Sequence, residues 1–276
     1  MAYPGREPAD GETFDVVVQD VRTGKVRHSV ALGGPERGRA VALAFSADGH
    51  TLAVSRSVQV DRDAWSVDVV DVGTGRKTRT LDGVGGYGIA LGGTGDDLVL
   101  ATTSGDRADL SDGTTAPGAL GTVELGAVAF SPDGKTLAAA EPNGVALWNA
   151  DGTRRVGRLP GPAGTGDTAV SRLRFSADGD RLVGVVGRQR VQIRDVRSQQ
   201  SLGGVLPGVE DRLLDVAFDD RGDLRLVGER VRSHTVSLDP DRLARTVCER
   251  VHRAKNLTRA EWEQNVPDAP YRKVCG

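Results

Sequence analysis

The sequence predicts an all-β fold, a β-propeller of four-stranded antiparallel blades (about six, in a closed or incomplete ring), followed by a short C-terminal helical tail. Three observations predict it. A turn of the form Phe-Ser-x-Asp-Gly recurs at Phe45–Gly49, Phe130–Gly134 and Phe175–Gly179, with a looser copy at Phe218–Gly222. Each copy lies between two apolar runs, the pattern of a hairpin whose turn ends in a Gly at positive φ. The Phe positions 45, 130, 175 and 218 stand one or two periods of about 40–45 residues apart, the length of a propeller blade. No such unit is large enough to hide its own apolar face, so neighbouring sheets must stack.

Taken in order, residues 1–12 are polar, carry Pro4, Gly5 and Pro8, and are expected to be a loose N-terminus. The propeller is placed at 13–239. It begins with half a unit: a strand from Phe14 to Asp20, a turn at Thr23-Gly24, and a returning strand from Lys25 to Leu32. The next unit is complete, with strands at Val41–Phe45, Thr51–Ser55, Ser66–Val72 and Lys77–Leu81, and Val58–Ala64 as an extra-long connection. The unit from Gly83 to Val123 is degenerate. Ile89–Leu91 and Leu98–Thr102 pair around Gly92–Gly95, but Ser104–Gly118 is polar and Gly-rich and its third strand is barely legible. Regular units resume at Ala127, Ser171 and Leu214. Five starts and a half-unit point to six sheets. The N-terminal pair is also a candidate to supply the fourth strand that the last sheet lacks, and the alternative is a longer propeller with earlier blades upstream.

After Asp239 the apolar period becomes helical. Asp239 is placed to cap a helix with Pro240 at its first position, and Leu243, Val247 and Val251 form a stripe. Thr258 and Glu261 make a capping box for a second helix, with Leu257 and Trp262 at the staple positions. This tail, 240–276, is expected to pack on the propeller.

Composition bounds the function. Lys+Arg 36 against Asp+Glu 38 gives a near-neutral chain, so the expectation is no nucleic acid and no membrane partner. No apolar run approaches the ~18 residues of a membrane span. The start shows no secretory signal, and the expectation is a cytoplasmic protein. The richness in Ala, Arg, Asp, Gly and Val suggests a bacterial coding sequence of high GC content. Candidate chemistry reduces to structure. Asp96-Asp97, and Asp219-Asp220 with Asp223, lack the spacing of a calcium loop and read as turn acids. Gly92–Gly95 is a hairpin loop, not a phosphate loop opening a helix. Asn256-Leu257-Thr258 matches a glycosylation acceptor but reads as helix capping. Arg154-Arg155, Arg188, Arg190 and Arg194 are scattered among acids and read as a solvated face. No catalytic, metal-binding or cofactor-binding residue is assigned.

The chain resembles the bacterial WD-repeat (WD40) propellers over about residues 13–239. The turn residues Phe45, Asp48, Gly49, Phe130, Asp133, Gly134, Phe175, Asp178 and Gly179 carry the resemblance. So do the residues that close the third strands: Gln19-Asp20, Val70-Asp71, Trp148-Asn149, Arg194-Asp195 and Leu238-Asp239. The family's Gly-His pair is absent, and its Trp-Asp pair survives only as Trp148-Asn149. The tail is similar to the C-terminal segment of actinobacterial WD-repeat proteins, many with signalling NTPases of the STAND type upstream. The matching residues are Cys248, Asn256, Leu257, Thr258, Glu261, Trp262, Pro267, Pro270, Tyr271 and Cys275. The resemblance implies a sensing or assembly module rather than an enzyme.

Cys248 and Cys275 are the chain's two cysteines. Two readings stay open: a disulfide closing the tail, contributing about 3–4 kcal/mol by chain entropy, or reduced packed thiols. A zinc site would lack two ligands. The expected function is a non-catalytic scaffold, monomeric and without a cofactor, that binds a protein partner or senses a ligand at the blade ends and central opening. Val58–Ala64 and Ser104–Gly118 are the expected recognition segments. The rivals are a propeller enzyme of hydrolase or dehydrogenase type, and a structural remnant of a larger sensor.

Overall fold

The computed structural model of the protein describes all residues except 5–13, 34–38, 61, 94, 96, 122–123, 162–168, 204–205, 208–210, 231–232, 251–257, 266–269, 272 and 274–276. Six antiparallel sheets follow one another along the chain. The first holds β1 (Ala2–Pro4), β2 (Phe14–Gln19) and β3 (Val26–Gly33). The second holds β4 (Arg39–Phe45), β5 (Thr51–Val60), β6 (Arg62–Asp71) and β7 (Arg76–Asp82). The third contains β8 (Ile89–Gly92), β9 (Val99–Thr102), β10 (Arg107–Asp109) and β11 (Thr115–Ala116). The fourth contains β12 (Val128–Phe130), β13 (Thr136–Glu141), β14 (Gly144–Asn149) and β15 (Arg155–Pro160). The fifth is built from β16 (Val170–Phe175), β17 (Arg181–Val186), β18 (Arg190–Asp195), β19 (Gln200–Ser201) and β20 (Leu206–Pro207). The last is built from β21 (Leu213–Phe218), β22 (Leu224–Gly228) and β23 (His234–Val236). Two helices end the chain, α1 (Pro240–Arg250) and α2 (Arg259–Asn265). The fold is an incomplete β-propeller.

Burial explains why the central strands read as unbroken apolar runs. Each middle sheet is covered on both faces, so alternate residues of one strand enter different cores. In β5, Leu52 and Val54 join Val16, Val18 and Leu32 of the first sheet, whereas Ala53 joins Leu91 and Leu100 of the third. In β13, Leu137 and Ala139 face the third sheet, and Ala138 and Ala140 face the fifth. The last gap is filled by Val183, Val185 and Ile193 against Val216, Leu224 and Leu226. Phe45, Phe130, Phe175 and Phe218 each pack at the edge of one of these cores. Five cores thus fill the five gaps between consecutive sheets. Among the described residues none joins the last sheet to the first.

The recurring turn is held by one repeated set of hydrogen bonds. The Ser131 hydroxyl donates to Asp133 Oδ1 at 2.6 Å and accepts the Thr136 N–H at 2.9 Å, while Asp133 Oδ1 also accepts the Lys135 N–H. Ser46 with Asp48, and Ser176 with Asp178, repeat the pattern. The serine hydroxyl first, and the backbone N–H second, hold each Asp carboxyl below the ordinary carboxylate range. In the fourth copy Asp219 replaces the serine and accepts the Arg221 and Asp223 N–H groups itself. Gly134 closes its turn at φ +69°, and an added Cβ would stand 2.7 Å from the Gly93 nitrogen. Gly49 and Gly179 close theirs at φ +73° and +76°. Ser131 is 7% exposed, so Ser131→Ala strands a buried N–H. It should cost about 1–2 kcal/mol in chemical denaturation; a loss below about 0.3 kcal/mol would remove the turn network from the account.

Several expectations need correction. Residues 2–4 are not loose: β1 pairs with β2, Ala2 opposite Val18. The N-terminal pair does not complete the last sheet, because β1–β3 form a sheet of their own and the last sheet has three strands. Val58–Ala64 is no loose connection. β5 and β6 pair without interruption to Val60 opposite Arg62. Ser104–Gly118 is no open loop either, since it carries β10 and β11 and completes the degenerate blade. The fourth strand of the fifth sheet is split into β19 and β20, each pairing with β18.

Candidate functional site

At one end of the sheets the starts of β8, β12 and β16 converge with β4 and with the β9–β10 and β13–β14 turns. They enclose a cavity of about 770 Å³. Val41, Leu43, Ile89, Ala127, Val128 and Pro142 give it apolar walls. This is where connections from several blades meet, the usual place for a propeller to present function.

One rim of the cavity is aromatic. Tyr87, 63% exposed, meets Trp65 edge to face, with centroids 5.0 Å apart and planes at 86°. The geometry is the favourable one for two quadrupoles. Local sequence fixes the pair. Trp65 stands on β6 opposite Ser57, in the part of the β5–β6 hairpin that outruns its counterpart in the fourth sheet. Tyr87 rides the segment Gly85-Gly86-Tyr87-Gly88, which is pinned on both sides. The Ser55 hydroxyl donates to the Gly86 carbonyl at 2.9 Å, and the Gly88 N–H donates to Thr103 Oγ1 at 3.0 Å. Side chains are excluded there: a Cβ on Gly85 would lie 2.8 Å from Trp65 Cβ, and one on Gly86 2.7 Å from Thr103 Oγ1.

The opposite wall is cationic. Arg172 and Arg174 project from β16 into the cavity. Arg172 Nε donates to the Leu214 carbonyl at 3.1 Å, and its Nη1 donates to the Ser171 carbonyl at 2.7 Å. Arg174 pairs with Asp215 at 3.1 Å. Of the cavity's two acids, Glu141 is paired with Arg155, and Glu124 is exposed at the rim. Arg155 also lies over the Trp148 ring, 5.1 Å from its centroid.

The other singled-out residues serve structure. Asp71 and Asp195 close the third strands of their sheets, and Asp20 follows β2, the middle strand of the first; each accepts a Thr or Ser N–H three residues on, together with that residue's hydroxyl. Arg27 first, then Thr23, lowers the Asp20 carboxyl to about 2. Asp109 closes β10 on the Ser111 N–H and hydroxyl, two residues on instead of three, a variant of the signal that marks the third strand of the degenerate blade. Asp223 is a fastening point for the tail. It accepts the Ser237 hydroxyl and the Leu238 N–H and pairs with Arg242 of α1. Asp239 caps α1 through the Asp241 and Arg242 N–H groups. Arg194, expected on a solvated face, is completely buried.

In the tail, the Thr258 N–H and hydroxyl donate to Glu261 Oε2 at 2.7 and 2.8 Å, and the Glu261 N–H returns to Thr258 Oγ1 at 3.3 Å. Trp262 is buried and meets Tyr271 edge to face at 6.0 Å. Leu243, expected on a packed stripe, is 42% exposed. Cys248 is disulfide-bonded. Cys275, Asn256, Leu257, Val251 and Pro267 lie outside the described residues, as do the contacts of the Val247 side chain. Among the described residues no group of three or more His, Cys, Asp or Glu side chains is placed to hold a metal ion, and no helix is long and apolar enough to cross a membrane.

The solved structures give the same architecture. A chain of the mitotic checkpoint complex superposes with a TM-score of 0.56 at 16% identity, over 81% of this chain and 71% of that one. A chain of hydrazine synthase from Kuenenia stuttgartiensis superposes with a TM-score of 0.56 at 19% identity, over 77% and 67%. At these identities the likeness shows the fold alone, a WD40-like β-propeller. The sequence matches no family model and no curated protein.

Proposed function

We propose that the protein is a non-catalytic, monomeric scaffold that docks a protein partner on the axial mouth. The fold does not choose this reading, since one architecture serves an assembly and an enzyme alike in the two similar structures. The supporting observation is the Trp65–Tyr87 pair: an exposed Tyr87 on the rim of an apolar hollow, braced by the half-buried Trp65, with glycines cleared around it. Such aromatic anchors next to a pocket carry most of the energy of protein interfaces. The resemblance of the tail supports a place in sensors of the STAND type, where the propeller would recognise and a separate domain would act. A cytoplasmic setting without nucleic acid, membrane or cofactor belongs to the same proposal, although reducing compartments seldom keep a disulfide such as that of Cys248.

The test is affinity capture from lysate of the source cell, read by mass spectrometry, with the wild-type chain and a Trp65→Ala/Tyr87→Ala variant. Partner recovery should fall about 10- to 30-fold, the scale of a hot spot, while the melting curve stays cooperative. Equal recovery by a folded variant sinks the reading.

A further inference from the structure

We infer that the axial mouth selects an acidic peptide: a short segment in which an Asp or Glu stands beside an apolar side chain, its carboxylate seated on Arg172. This rests on the docking proposal above and adds the chemistry of what is docked.

The argument begins with how Arg172 is held. Two of its five N–H groups are spent on neutral backbone carbonyls, Leu214 O and Ser171 O. Those bonds orient the guanidinium without neutralising it. Among the described residues no carboxylate pairs with it, whereas its neighbour Arg174 is matched by Asp215. Arg172 is exposed and lines the hollow beside its apolar walls, so its remaining N–H groups are open to a ligand that brings a charge-assisted bond. A guanidinium so prepared suits the two oxygens of a carboxylate.

The rest of the hollow says what accompanies that carboxylate. Val41, Leu43, Ile89 and Pro142 offer no hydrogen-bonding side chain, so the neighbouring residue of the ligand is aliphatic or aromatic. About 770 Å³ accommodates a few side chains of an extended peptide, not a folded domain. Glu124, exposed at the rim, repels a second anion placed there, so the carboxylate has one favoured seat.

The experiment is selection of a random linear heptapeptide phage library on the immobilised full chain, followed by fluorescence-polarisation titration of the winning peptide and its Asp→Asn (or Glu→Gln) form. Winners should be enriched in Asp or Glu next to Leu, Ile, Val, Phe or Met. Arg172→Gln should weaken the acidic peptide about 10- to 100-fold, the worth of a charged hydrogen-bonded pair. It should hardly change the neutral form, and Arg172→Lys should restore part of the loss. Winners without acidic residues, or equal weakening of both peptide forms, overturn the inference while leaving the mouth a docking site. Absence of any enrichment, or binding unaffected by Trp65→Ala/Tyr87→Ala, overturns the docking reading along with it.

Discussion

Replacing Asp68 with alanine is expected to lower the unfolding free energy by about 3–5 kcal/mol, the scale at which a buried ion pair loses one partner. Asp68 of β6 is fully buried and Arg56 of β5 is 2% exposed, with Nε and Oδ2 2.9 Å apart. The N–H does not point along that line, so the attraction is mainly coulombic rather than a hydrogen bond. The other carboxylate oxygen accepts the Thr80 hydroxyl at 2.6 Å and faces Lys77 at 3.5 Å. By strand alternation Arg56 lies on the face of Leu52 and Val54, which pack against the first sheet. Asp68→Ala therefore withdraws a charge from the cation in that core. Guanidinium denaturation is the measurement. The double variant Arg56→Met/Asp68→Leu should regain most of the loss, because an apolar pair needs no compensation there. A single-variant loss under about 1 kcal/mol would show that water reaches the pair.

Arg194→Met is expected to act in the opposite direction and stabilise the fold by about 1–3 kcal/mol. Arg194 is completely buried on β18, on the face turned toward the fourth sheet. Nη2 donates to Gln192 Oε1 and Nε reaches the Pro160 carbonyl at 3.4 Å, but among the described residues Nη1 has no partner and no acid balances the charge. Burial pulls its pKa well below the ordinary arginine range, down to about 10. The sign follows. Below pH 10 both folded and unfolded chains carry the proton, and the folded chain bears the whole penalty of the buried charge. Between about 10 and the ordinary arginine range the folded chain releases the proton first, so the unfolded chain holds more protons and stability rises with pH. The advantage of Arg194→Met should thus be constant at neutral pH and shrink as pH climbs past 10. A variant less stable than the wild type at pH 7 would mean that the guanidinium contributes more than its burial costs.

These two sites show where sequence reading stops. Arg56, Asp68 and Arg194 stand at positions where strand alternation alone does not separate solvent from a neighbouring sheet. A sheet covered on one face would leave them wet, and only the stacking of the next blade makes them dry. The long β5–β6 hairpin was misread as a connection for a related reason. Its residues 58–64 mix Val58, Val60 and Ala64 with Gln59, Asp61, Arg62 and Asp63, so the run of hydrophobic residues that marks the other strands is missing. The degenerate blade hid its outer strands because they are two and three residues long, although Asp109 and Ser111 kept the turn chemistry of the other blades.

By itself the sequence determined what is local and repeated. The Phe-Ser-x-Asp-Gly turns, the Asp residues that close third strands, and the Thr258–Glu261 box all form from groups within five residues of one another, so spacing suffices to read them. The tertiary structure alone decided that β1 joins the first sheet, that Arg194 is buried with no counter-charge among the described residues, and that Tyr87, braced by Trp65, lines one cavity with Arg172. Those facts depend on which faces meet across blades, and that is set by packing between residues from distant parts of the chain. No period along it encodes such a meeting.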